Sequence, residues 1–247
     1  MTATNRPNYL SEVLASWAAV RGISDALMLF NVEPGNGDVA SLAEEWEASP
    51  KLVFSNRARY GVLGNPWWAL DRAFTIAERA GEGFVVLAED DSTVADDVLE
   101  YFAYAAEVGE ENREIFSVNA FNLRACPSEC CRRSAHHVHF DPSFYSTVWG
   151  TWADRWNDEL RKEWDFDYVR GGWDLHIDRE ILVGGRRSLT PCRSRSQHIG
   201  EFGGAHMLEE HFAFNQSDCF DPSPSRDAFW GADDPVDRTW EVPCASP

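Results

Sequence analysis

No hydrophobic run in the 247-residue chain is long. The most apolar stretches, "DALMLFNV" and "GFVVLA", fall far short of the roughly 20 residues that cross a bilayer. The opening "MTATNRPNYL" lacks the basic-then-apolar order of a secretory leader. Both absences point to a soluble, cytoplasmic protein with no membrane partner. Basic charge is scarce: 22 Lys and Arg against 41 Asp and Glu give a net charge of −19. That balance repels polyanions and disfavours non-specific nucleic-acid binding. Six cysteines in a chain of this length, without a leader, do not make a disulfide framework. Internal repeats and low-complexity linkers are also missing. What is present is 44% hydrophobic and 13% aromatic residues, enough to build a real core.

Periodicity supplies the elements. "YLSEVLASWAAV" puts Leu10, Val13, Leu14, Trp17 and Val20 on one helical face after Pro7. "DALMLFNVEPGNG" reads as a strand buried on both faces and ended by Pro and Gly. A helix over about 39–47 follows, then a strand "KLVFSN" and a helix opened by Asn65 and Pro66 and stopped at Gly81. "GFVVLA" is the next strand. This alternation predicts an α/β fold with a mixed, mostly parallel sheet flanked by helices. Further on, "IFSVNAFN" reads as a strand, "STVWGTWADRWNDELRKEW" as a Trp-rich helix, and "REILVGGRRSLTPCRSRSQHIGEFGG" as short strands and Gly-rich loops.

The strand "GFVVLA" runs directly into Glu89, Asp90 and Asp91. Residues at the carboxyl end of a parallel strand face the crevice where open α/β sheets bind ligands. Three unpaired buried acids would be costly, so they sit in a cleft, pair with bases or hold a cation. Ser92 or Thr93 is positioned to cap a following helix that carries Val94, Val98 and Phe102 on one face. Such a turn suits Mn2+ or Mg2+ on a diphosphate; an ordinary helix-terminus acid cluster is the other reading. Two basic islands stand out: Arg124, Arg132 and Arg133 near His136, His137 and His139, and Arg186, Arg187, Arg193, Arg195 and His198. His198 is a candidate for the diphosphate or the metal, with Arg193 or Arg195 opposing phosphate charge. Cys126, Cys130 and Cys131 lie close to His136, His137 and His139; a structural zinc site, reduced thiols and a disulfide all remain open.

The segment "WWALDRAF…GFVVLAEDDSTVADDVLEYF" resembles the corresponding stretch of the N-acetylglucosaminyltransferase I family, inverting nucleotide-sugar glycosyltransferases of the GT-A, Rossmann-like fold. "IFSVNAFN", "FYSTVWGTWADRWNDELRKEWD", "GGWDLHIDR" and "TPCRSRSQHIGEFGG" follow in the family's order, so the resemblance spans about residues 5–205. It implies one catalytic domain over 1–218, with a nucleotide-sugar half to about 108 and an acceptor half from about 109, then a tail over 219–247. It makes Asp91 the metal ligand, and Asp90 with Glu89 the contacts to ribose, sugar or metal-bound water. Glu33 falls where the family sets an acid against uracil, and Asn5 and Arg6 fall where the first strand meets the nucleotide. Asp174 matches the general base, and the implied donor is a UDP-sugar. The sequence departs from the pattern at Leu175, where a second acid is expected, in the Cys/His insertion, and in having almost nothing before Thr4. Either "MTAT" is the first sheet strand or another segment fills its place.

The residue types match the chemistry of inverting transfer: a carboxylate deprotonates the acceptor hydroxyl and a cation offsets charge on the departing diphosphate. Glycan, protein, small molecule and a hydroxymethylated DNA base all offer such a hydroxyl. A nucleotidyltransferase would need a Gly-rich basic loop near the amino terminus, which is not found. A non-catalytic sugar-binding protein would use tryptophans such as Trp149, Trp152, Trp156 and Trp173 as stacking platforms.

Overall fold

Thr2–Ala3 forms a short strand, β1, and Pro7 opens the first helix, α1 (Pro7–Ala18). The computed structural model describes residues 1–123, 138–181, 185–203, 212–213 and 216–224. Leu10, Val13, Leu14 and Trp17 form the buried face of α1, as their spacing predicts. Next come β2 (Met28–Val32), α2 (Gly37–Glu45) and β3 (Lys51–Ser55). A long helix, α3 (Gly61–Ala80), leads to β4 (Phe84–Ala88). Beyond it lie β5 (Ser92–Val94), α4 (Val98–Glu110) and β6 (Ile115–Asn119). The second half adds β7 (Val138–Asp141), β8 (Val148–Trp152), β9 (Arg187–Pro191) and β10 (Ser196–His198).

β1, β2 and β3 pair in parallel, and a parallel bridge from Thr2 to Glu89 carries the sheet on to the end of β4. "MTAT" therefore fills the first-strand position. On the other side of β4 the order is β8, β6, β9, β7. β8 runs antiparallel to both β4 and β6, β6 and β9 are parallel, and β7 closes the edge antiparallel to β9. The result is the expected mixed α/β sheet flanked by helices. β5 and β10 form a separate antiparallel ribbon that pairs Ser92 with His198.

Three local readings are corrected. Val148–Trp152 is not the start of a helix but the central strand β8, buried along its whole length; helix begins only at Ala153. At Gly150 a Cβ would lie 2.4 Å from the Phe84 ring, so this strand crosses where no side chain fits. Asn65 does not cap α3. The helix begins four residues earlier, and Asn65 Oδ1 accepts hydrogen bonds from Asn31 (2.5 Å) and Asn56 (3.3 Å) inside the molecule. Ser92 and Thr93 lie in β5, so α4 starts only after Asp97.

Two apolar layers cover the sheet. One joins α1, β2, α2 and α4 through Leu10, Phe30, Val39, Val98 and Phe102. The other contains Leu70, Phe74, Phe116, Trp149, Trp156, Trp164 and Trp173. Trp149, Trp152, Trp156 and Trp173 are all buried, so these rings build the core and are not platforms for a sugar. Among the described residues no helix is long and apolar enough to cross a membrane.

Candidate active site

β4 ends at Ala88 and delivers Glu89, Asp90 and Asp91 to the carboxyl edge of the parallel strands. Asp90 and Asp91 are buried, 2% and 4% exposed. Arg6, between β1 and α1, spans both: Nη2 lies 2.5 Å from Asp90 Oδ1 and Nη1 2.5 Å from Asp91 Oδ2. The Thr4 backbone N–H donates to the other Asp90 oxygen at 2.8 Å. The β5–β10 ribbon brings His198 Nε2 to 3.2 Å from Asp91 Oδ2, while its buried Nδ1 has no hydrogen-bond partner among the described residues. Gly200 seals this side: a Cβ there would sit 2.4 Å from Asp91 Oδ2. Sequence reading missed Gly200, although the glycine two residues after His198 was the available signal.

The electrostatics follow from crowding. Burial and then the charges of Asp91, Asp174 and Asp90 push the Glu89 pKa well above the usual carboxylate value, and Arg6 offsets only part of this. Burial raises Asp90 despite Arg6. For Asp91, burial is outweighed by His198 and Arg6, and the pKa falls. Asp174 is near enough to act on Glu89. It is partly buried in the first turn of the short helix Trp173–His176, entered through Gly172. A cleft of about 380 Å³ opens beside that helix, lined by Asp165, Asp167, Tyr168, Val169, Arg170 and His176.

The other expected site residues sit as follows. Asn5 is exposed next to Arg6. Glu33 is buried, and both its carboxylate oxygens accept from the Tyr60 N–H at 3.0 Å, which holds the start of α3. Arg195 is corrected as a phosphate contact: it is fully buried, its Nε is 2.8 Å from Asp97 Oδ1, and that carboxylate is fully buried too. Arg186 pairs with Glu159. The second basic island is thus partly internal, and no continuous surface patch. Cys126, Cys130, Cys131, His136 and His137 lie outside the described residues. His139 lies on β7, with Nε2 3.7 Å from Asp141 Oδ2 and Nδ1 4.0 Å from Cys192 Sγ.

Among the described residues no group of three or more His, Cys, Asp or Glu side chains forms a ready-made metal cage. Asp91 Oδ2 and His198 Nε2, 3.2 Å apart, nonetheless have the separation of adjacent ligands on one six-coordinate ion, about 3 Å at the usual bond lengths. Such an ion would take its remaining ligands from water and phosphate, as Mg2+ commonly does. The donor set fits a divalent cation.

No protein-family model matches the chain. Among solved structures it is similar to a mannosyltransferase from Pyrobaculum calidifontis in complex with GDP-Man and Mn2+. Identity is 16% and the TM-score 0.49, over 77% of this chain and 54% of that one. The chain thus spans about half the length of that protein. At this level the likeness identifies neither a family nor a donor.

Proposed function

We propose that the protein is a metal-dependent glycosyltransferase that moves a sugar from a nucleotide-sugar donor, a UDP-sugar, to an acceptor hydroxyl with inversion. The observation that carries this reading is the gathering of Glu89, Asp90, Asp91, Arg6 and His198 at the end of β4, with Asp174 close enough to perturb Glu89. Asp174 accepts the proton of the acceptor hydroxyl as its oxygen bonds to the anomeric carbon and the bond to the diphosphate breaks. Glu89 and Asp90, beside Asp91 at the end of β4, would contact the ribose, the sugar or metal-bound water. Asp91 and His198 would hold Mn2+ or Mg2+, which when bound neutralises charge on the departing diphosphate. The cleft beside the helix Trp173–His176 seats the acceptor. Buried Arg195 and paired Arg186 weaken the reading of a DNA acceptor and favour a glycan, protein or small molecule. A structural zinc on the Cys/His segment is a separate proposal, read by elemental analysis.

The test is a panel of nucleotide sugars with Mn2+, scored for diphosphate release and transfer. One donor should react. Asp174→Asn, which cannot accept the proton, should still bind that donor but turn over about 10²- to 10⁴-fold more slowly. Full turnover in this variant would move the base elsewhere, and a panel with no reacting donor would reject the reading.

A further inference from the structure

Two aspartates that would face a divalent ion are already bridged by a cation. The Arg6 guanidinium lies across Asp90 Oδ1 and Asp91 Oδ2, both at 2.5 Å, and the Asp91 oxygen it holds is the one His198 Nε2 approaches. We propose that Arg6 is the built-in counter-cation of this site: it competes with a divalent ion for Asp91 and is drawn off the acids by the diphosphate of the donor. The inference rests on the glycosyltransferase reading and adds a coupling between ion and nucleotide that the reading does not contain.

Glu89, Asp90, Asp91 and Asp174 crowd together, and Arg6 is the cation that touches two of them. Without it, Asp90 and Asp91 would sit buried side by side with their like charges uncompensated by a guanidinium. Arg6 itself is only partly enclosed, its side chain 17% exposed. Its guanidinium stands 5.8 Å from the centre of the Tyr9 ring, and its stem runs under Gly203, where a Cβ would come within 3.8 Å of Cδ. It hangs from the amino-terminal end of α1, whose backbone stays in place while the side chain swings. An ion reaching Asp91 Oδ2 must open one fork of the guanidinium, and the freed fork has the planar geometry that pairs with phosphate. Ion and diphosphate therefore bind better together than apart.

The test is calorimetry with MnCl2 alone and with MnCl2 plus UDP or GDP, on wild-type protein and Arg6→Gln. Wild type should bind Mn2+ alone weakly, and the nucleotide should strengthen it about tenfold or more. Arg6→Gln should bind Mn2+ alone about tenfold more tightly than wild type and gain less from the nucleotide. Unchanged or weaker Mn2+ binding by Arg6→Gln, with nucleotide-dependent binding intact in wild type, overturns the role of Arg6 and leaves the site reading standing. Absence of Mn2+ binding by both proteins, with and without nucleotide, overturns both. Should circular dichroism show Arg6→Gln unfolded, Arg6→Lys replaces it: the lysine loses the two-pronged fork and should gain several-fold in Mn2+ affinity, and no gain overturns the proposal.

Discussion

Arg195 and Asp97 show what a single residue's environment decides. In the sequence Arg195 stands in a basic island and invites a role on phosphate. In the fold it is fully buried, with Asp97 2.8 Å from its Nε and the Arg193 carbonyl accepting from Nη1 at 2.9 Å. Burial outweighs Asp97 and lowers the guanidinium pKa, and likewise raises that of Asp97. Arg195→Met leaves a buried carboxylate alone and should cost about 3–5 kcal/mol of stability by denaturant unfolding. Replacing both, as Arg195→Met with Asp97→Leu, should recover most of that loss, because paired removal leaves no lone charge. A single variant as stable as wild type would mean the pair is solvated. The acids at 89–91 were legible because three carboxylates after an apolar strand have few inexpensive places to go. The partner of Arg195 was not, because it lies 98 residues away in the chain and is brought near by the β5–β10 pairing and the Ala95 N–H bond to the Arg195 carbonyl.

At the scale of elements, α1, β2, β3, β4 and β6 follow from apolar spacing, and the Gly81 stop of α3 from its left-handed φ of 78°. The reading failed at β8, where "VWGTW" leads without a turn residue into a helix. Trp and Thr serve a buried strand as well as a helix, and only the neighbours decide. Gly150 is the signature of that choice, since β4 passes so close that a methyl group would meet Phe84 at 2.4 Å and the Val85 carbonyl at 3.1 Å. Gly150→Ala should therefore lower stability by about 1–3 kcal/mol through overpacking, measured as a shift in the denaturant midpoint with an unchanged slope. A neutral substitution would show that the two strands part easily there. Asn65 misled for a related reason: Asn before Pro is a strong start signal, but here its amide bonds Asn31 and Asn56, and Glu33 holds the true start of α3.

For the whole molecule, the mixed sheet places the carboxyl ends of β1 and β4 beside each other, and the β5–β10 ribbon folds His198 back over them. A net charge of −19 does not by itself prevent an anionic ligand from binding there, because Arg6 offers it a cation and an ion held at Asp91 would offset its charge. The proposed function requires that this edge hold a divalent ion together with a nucleoside diphosphate through Asp91. Its most direct test is calorimetry of UDP and GDP with and without Mn2+, on wild type and on Asp91→Asn. Wild type should bind one nucleotide only with Mn2+, and that binding should disappear in Asp91→Asn while circular dichroism stays unchanged. Equal Mn2+-dependent binding by the folded variant, or no nucleotide binding by wild type, would contradict it.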